Sequence, residues 1–256
     1  MDRGTFLGIL LGIGFLAYAI FEGGTPRSFL HVKSLIVVFG GITAATFIRF
    51  PFATVISAFS VASRAFFSRQ QNQQNLVRQL VSLSQRARRE GFLALEKHLP
   101  EDKFVAMGIR MIADGIEQNR IRNLLNAEIR ATQSRHSVGQ ETFKFIAVAA
   151  PSFGMVGTLI GMVQLFATID DPKKMAGAMA LSLLSTLWGA VVAYLFAMPI
   201  AGKLELRSKE EAQNKALALE GIIGIKSEMH PGHLEEHLNA FLAPGKKVSR
   251  QPVVGA

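Results

Sequence analysis

Residues 180–190 read Ala-Leu-Ser-Leu-Leu-Ser-Thr-Leu-Trp-Gly-Ala and lie inside a run of 28 uncharged residues, Met175 to Gly202. The run is long enough to cross a bilayer as a helix, yet this short stretch carries three hydroxyls and no ionisable group. Ser182, Ser185, Thr186 and Gly189 recur at i, i+3, i+4 and i+7, which puts them on one side of a helix. The preceding apolar run repeats the spacing with Gly154, Gly157, Thr158 and Gly161. Thr158 lies 11 residues before Ile169, and Thr186 lies 11 residues after Met175. At the helical rise both sit about 16 Å from the outer ends, near the middle of a bilayer.

Composition agrees with a chain divided between membrane and water. Of 256 residues 49% are hydrophobic and 18% charged, and the mean hydropathy is +0.28. There is no cysteine, which excludes disulfides, thiolate metal sites and a cysteine nucleophile. The charge-free runs Gly4 to Phe21, Ser34 to Ile48, Phe145 to Ile169 and Met175 to Gly202 predict four transmembrane helices. The first run is too long for a signal peptide and is expected to be retained. The second is short, and its apolar character is expected to continue past a snorkelling Arg49 through Phe50 to Ala62.

The expected organisation is residues 1–52 for the first two membrane helices, 53–143 for a cytoplasmic helical domain, 144–202 for the third and fourth membrane helices, and 203–256 for cytoplasmic helices and a tail. Residues 53–143 hold 13 Lys and Arg against 8 Asp and Glu, so the positive-inside rule places both polar segments and both termini in the cytoplasm. Orientation also accounts for the net charge of +9 without nucleic acid. Leu76, Leu80, Leu83 and Ala87 form one face of an amphipathic helix that Gly91 is expected to end. No proline interrupts Ile116 to Ala150, so one helix is expected to run from the cytoplasm into the third span, and the fourth span to continue toward Pro231. The class is an all-α membrane protein.

Small residues and hydroxyls commonly glue membrane helices together, and a packing scaffold without ion flux satisfies that reading. Pro151 and Pro199 add something else, since each removes a backbone donor and frees a carbonyl, on Ala147 and Leu195. Such backbone is tolerated in a membrane where it faces protein or a watery cavity. A path for protons or metal cations there lacks a carboxylate, so another chain has to bring one.

The segment from "VAAPSFGMVGTLIGMVQLFATIDD" to "LSLLSTLWGAVVAYLFAMPIAGKLELRSKEE", with "SLIVVFGGITAATFI" and "ARREGFLALEKHL" before it, resembles the flagellar motor stator family of MotA and PomA, within the wider group of ExbB and TolQ. The resemblance covers nearly the whole chain. It implies an ion-driven, torque-generating subunit without enzymatic activity or cofactor, with Na+ or H+ as its cargo. It also implies a homopentamer in the bacterial inner membrane around a MotB- or PomB-like single-span, peptidoglycan-binding partner that carries the ion-binding aspartate. Thr158, Ser185 and Thr186 would line the ion path, and Pro151 and Pro199 would couple ion binding to movement. Arg88, Arg89 and Glu96 would contact the rotor protein FliG. Paired hydroxyls on the fourth helix resemble the sodium-type members, whereas His31 and Lys33 replace an acidic residue and a proline common at the family's outer rim. The alternative loads are those of ExbB-like, TolQ-like or gliding-type transducers.

"HLEEH", His233 to His237, matches a zinc protease pattern, with His230 as a third candidate ligand. Leu234, Leu238 and Phe241 give the same segment the pattern of a packed amphipathic helix, and no metal is expected there.

Overall fold

The computed structural model describes residues 3–22, 26–67 and 72–247. Among these the chain is helical, with no strand. Helix α1 is Arg3–Glu22. A 3-10 turn, Pro26–Phe29, leads to α2, in which Val32–Leu35, a π turn over Ile36–Gly40 and Gly41–Arg49 follow without a break. Then come α3 (Phe52–Phe67), α4 (Gln73–Glu90), α5 (Lys103–Ala113) and the 50-residue α6 (Gln118–Ala167). Helix α7 runs for 55 residues from Pro172 to Lys226 through a π turn at Val192–Ala197, and α8 is Pro231–Asn239.

Among the described residues three stretches are long and apolar enough to cross a membrane, Pro26–Arg49 and parts of α6 and α7. In α1 the apolar stretch is shorter, Leu7–Glu22. The expected continuation of the second run past Arg49 does not occur. Phe50 is extended, with φ −123° and ψ 139°, because the Pro51 ring disfavours helical geometry in the residue before it. The apolar run resumes as the separate helix α3.

Contacts divide the chain into two units, residues 1–68 with 135–207, and residues 69–134 with 208–256. The first unit is packed from small residues. Ala58, Ala62, Ala147, Ala150, Ala193, Ala197 and Ala201 form its core with Val38, Ile42, Phe143, Ile146 and Leu204. Asp171 caps α7 by accepting from the backbone N–H of Lys173 at 3.1 Å, with Pro172 opening the helix. The 168–171 turn is therefore tight, and α6 and α7 return along each other. Their backbones nearly touch: a Cβ on Gly189 would stand 2.6 Å from the Ala150 carbonyl oxygen and 3.2 Å from Gly154 Cα.

In the second unit Leu76, Leu80, Leu83 and Ala87 are buried on the predicted face of α4. Gly91, at φ +81°, ends that helix in a conformation that suits glycine. Asp102 caps α5 through Phe104 N–H at 2.8 Å. Leu234 and Leu238 are fully buried, but Phe241 is 47% exposed and Leu242 takes the inward place. Helix α8 has ended at Asn239, so helical spacing no longer governs position 241.

Glycines in close contact differ in what opposes them. Gly189→Ala sets a methyl against backbone that cannot turn aside, and the expected cost is about 1–3 kcal/mol with loss of monodisperse protein on gel filtration. Gly12→Ala meets only the Leu195 side chain and is expected to leave the elution profile unchanged. Equal behaviour of the two variants would refute the close approach.

Candidate functional site

The hydroxyls of α6 and α7 are shared between the helices. Thr158 Oγ1 and Thr186 Oγ1 are 2.5 Å apart, as their equal depth in the sequence predicts. Ser182 Oγ donates to the Thr158 carbonyl at 3.1 Å, and Thr158 Oγ1 lies 3.1 Å from the Ser182 carbonyl and 3.1 Å from that of Gly154. Each hydroxyl has one proton, so Thr158 donates either to one of these carbonyls or to Thr186, whose own hydroxyl also lies 3.5 Å from the Ser182 carbonyl. The hydroxyls and carbonyls therefore form a cluster with more acceptors than donors. Thr158 is half-buried and Thr186 exposed. Exposed apolar residues flank them on their own helices, Met155 and Met162 on α6 and Met179 and Leu183 on α7.

Ser185 is placed differently. Successive residues on a helix point about 100° apart, so Ser185 and Thr186 cannot both face the exposed edge. Ser185 is 0% exposed, donates to the Leu181 carbonyl at 2.6 Å, and fills the space above Gly157. Gly161 likewise receives Ser182. The small-residue stripe thus has a packing side, Ser182 and Ser185 on glycines, and an open side, Thr158 and Thr186.

The two prolines occupy different backbones. Pro151 is half-buried within an α6 that continues unbroken around it. Pro199 is exposed and follows the π turn of α7, where Met198 N–H bonds back five residues to the Ala193 carbonyl. A widened turn beside a residue with no N–H is a recognised way to accommodate proline.

In the second unit Arg88 and Arg89 are exposed in the last turn of α4, and Glu96 is exposed on the 3-10 turn Leu93–His98. That turn is anchored by Leu95, 0% exposed, and by Phe92, whose ring lies 5.4 Å below Lys226 Nζ. The charges project from a fixed base. His230 and the histidines of "HLEEH" each have a polar neighbour of their own, and the His230 and His233 rings also meet edge to face at 5.8 Å. His230 Nδ1 accepts from Gly232 N–H at 3.2 Å as the cap of α8, His233 faces Glu236, and His237 lies 3.7 Å from Glu220, which Arg122 holds at 2.6 Å. Among the described residues no three His, Asp or Glu converge as metal ligands would.

Two contacts escaped the sequence reading. Trp188 Nε1 donates to the Phe29 carbonyl at 3.0 Å. His31 Nδ1 lies 2.9 Å from Ser34 Oγ, and that buried hydroxyl approaches the Leu181 carbonyl at 3.5 Å. The His-x-x-Ser spacing signals the second; nothing local signals the first.

A model of the MotA/TolQ/ExbB proton channel family matches residues 96–216. The chemotaxis protein PomA of Vibrio alginolyticus is 34% identical over 247 residues, 96% of this chain and 98% of its own length. Among solved structures, the flagellar MotAB stator complex from Bacillus subtilis superposes with a TM-score of 0.86 at 25% identity, over 95% of this chain and 97% of its own. C. jejuni MotAB shares the fold, with a TM-score of 0.89 at 24% identity over 98% of this chain and 100% of its own. Because a relative 34% identical covers 96% of its length and the family model matches residues 96–216, the chain belongs to the MotA/TolQ/ExbB proton channel family.

Proposed function

We propose that the chain is the ion-conducting stator subunit of a bacterial flagellar motor, a multi-pass inner-membrane protein that turns ion flux into torque. The observation that carries this reading is the Thr158–Thr186 hydroxyl pair, joined across two membrane helices at an exposed edge. Polar atoms facing lipid are unfavourable, so a further chain covers this edge. The charge-free runs of α6 and α7 contain no carboxylate, and a single-span MotB-like partner, matching the MotAB complexes, supplies one. Four spans, with α1 among them and both termini cytoplasmic, assemble as a ring of copies around that partner.

Each ion that crosses about 100 mV releases roughly 2.3 kcal/mol per elementary charge. Ion binding neutralises the partner's carboxylate and lets the ring advance by one subunit; Pro151 and Pro199 are the points at which α6 and α7 yield. We assign sodium as the cargo. Sodium exchanges its water shell for several oxygens at once, and Thr158 Oγ1, Thr186 Oγ1 and the Ser182 and Gly154 carbonyls cluster within hydrogen-bonding distance of Thr158. Ser185 holds α7 on Gly157 and so keeps the Thr186 hydroxyl at the edge. Arg88, Arg89 and Glu96 engage the rotor protein FliG.

Thr158→Ala and Thr186→Ala are each expected to slow sodium-dependent rotation about tenfold or more, the scale of one lost contact to a charge, with the complex still assembled. Tethered-cell rotation that persists without sodium and stops with a protonophore overturns the sodium assignment; unchanged speed in both variants overturns the path itself.

Charge reversal at Arg88 or Glu96 is expected to weaken rotor engagement through a surface contact without reducing the amount of protein in the membrane. A complementary reversal on the rotor should restore swimming, and failure of every such pairing contradicts the contact.

A further inference from the structure

Arg49, the last residue of α2, is the cation nearest the end of the predicted second span. Its guanidinium lies 5.3 Å from the centroid of the Phe50 ring and 4.9 Å from that of Phe145. The two rings are edge to face at 5.9 Å, so they form a corner that the guanidinium fills. Phe50 is buried and Phe145 half-buried, while Arg49 itself is exposed. Among the described residues no carboxylate lies against Arg49, whereas Lys144, next to Phe145, is held by Glu205 at 2.8 Å. Among the described residues no hydrogen bond or ion pair engages the Arg49 guanidinium, whose neighbours here are rings, so its N–H donors are available in the fork that matches a phosphate.

The surroundings are apolar. Phe47 and Phe52 stack at 5.5 Å across the Phe50–Pro51 break. Ile48 is 87% exposed, and Phe52, Ile56 and Phe59 form an exposed stripe along α3, whose other side is buried through Val55, Ala58 and Ala62. A cation oriented by aromatic rings beside aliphatic and aromatic surface, at the end of a membrane helix, complements one class of molecule: an anionic head group with acyl chains attached.

We propose that Arg49, oriented by Phe50 and Phe145, is a binding site for the phosphate of an anionic phospholipid of the inner leaflet, whose acyl chains lie along the exposed face of α3. The site rests on the membrane placement of α2 and not on ion conduction. Bound lipid fixes the junction at which α2 gives way to α3.

The test uses the full chain with its single-span partner in detergent, titrated with phosphatidylglycerol or phosphatidylcholine and followed by native mass spectrometry. The expected result is about a fivefold preference for phosphatidylglycerol, the scale of one basic residue at a membrane surface. Arg49→Gln should remove the preference, and Phe145→Leu, which keeps the charge and loses one ring, should at least halve it. Should Arg49→Gln fail to assemble, Phe145→Leu decides. Inorganic phosphate at the same concentration should not displace the lipid; displacement would make this a simple anion site and overturn the proposal. Equal retention of both lipids by the unaltered protein, or an unchanged preference in both variants, would also overturn it. Rotation is read separately, so a failed lipid site leaves the stator reading untouched.

Discussion

The absence of side chains at Gly154 and Gly189 is the constraint on which the membrane unit depends. In lipid, helices gain little from burying apolar surface against each other, so association relies on close packing and on hydrogen bonds between them. Gly189 lets α7 reach the Ala150 carbonyl, and Gly157 and Gly161 receive Ser185 and Ser182. Once the helices are that close, Ser182 and Thr158 can bond to each other's backbone, and Thr158 and Thr186 meet. The hydroxyl pair is a consequence of the glycine contact. A larger residue at Gly189 would move the pair apart before touching either threonine.

The same packing explains why the edge is polar without being charged. Membrane helices carry ionisable groups at a cost of several kcal/mol unless these are paired or hydrated. Hydroxyls bonded to carbonyls avoid that cost and keep acceptor capacity on their oxygens. In the proposed stator, a partner carboxylate meets oxygens that are already held by these bonds. That proposal divides the site between two chains, which separates the expensive charge from the hydroxyls that receive it and allows one set of helices to turn past the other. Arg88, at the end of α4, and Glu96, on the following turn, are likewise exposed charges beside a buried anchor, Leu95.

Much of this was legible in the residues, for physical reasons. The depth of Thr158 and Thr186 follows from the helical rise and a short turn, so counting from Ile169 and Met175 places them together. The buried face of α4 follows from spacing, and the end of that helix from Gly91. Ser185 was harder, because i, i+3, i+4 and i+7 share a side only to within about 100°; which neighbour faces the partner helix depends on the crossing of α6 and α7. The break at Phe50 was readable from Pro51, but the apolar character on both sides of it pointed to one continuous helix. The Arg49 corner needs Phe145 from nearly a hundred positions away, and no local pattern announces such a contact. Phe241 followed the helical pattern past the point where α8 had ended.

The central claim is that the Thr158–Thr186 edge faces the carboxylate-bearing helix of a second protein. The chain has no cysteine, so single cysteines report without background. With cysteines placed one at a time around the partner's aspartate, Thr186→Cys should form a disulfide with a subset at helical spacing, while Leu183→Cys, on a neighbouring exposed position of α7, should do so at shifted positions or not at all. Efficient cross-linking through Leu183 and none through Thr186 would contradict the account, because it would put a different face of α7 against the ion.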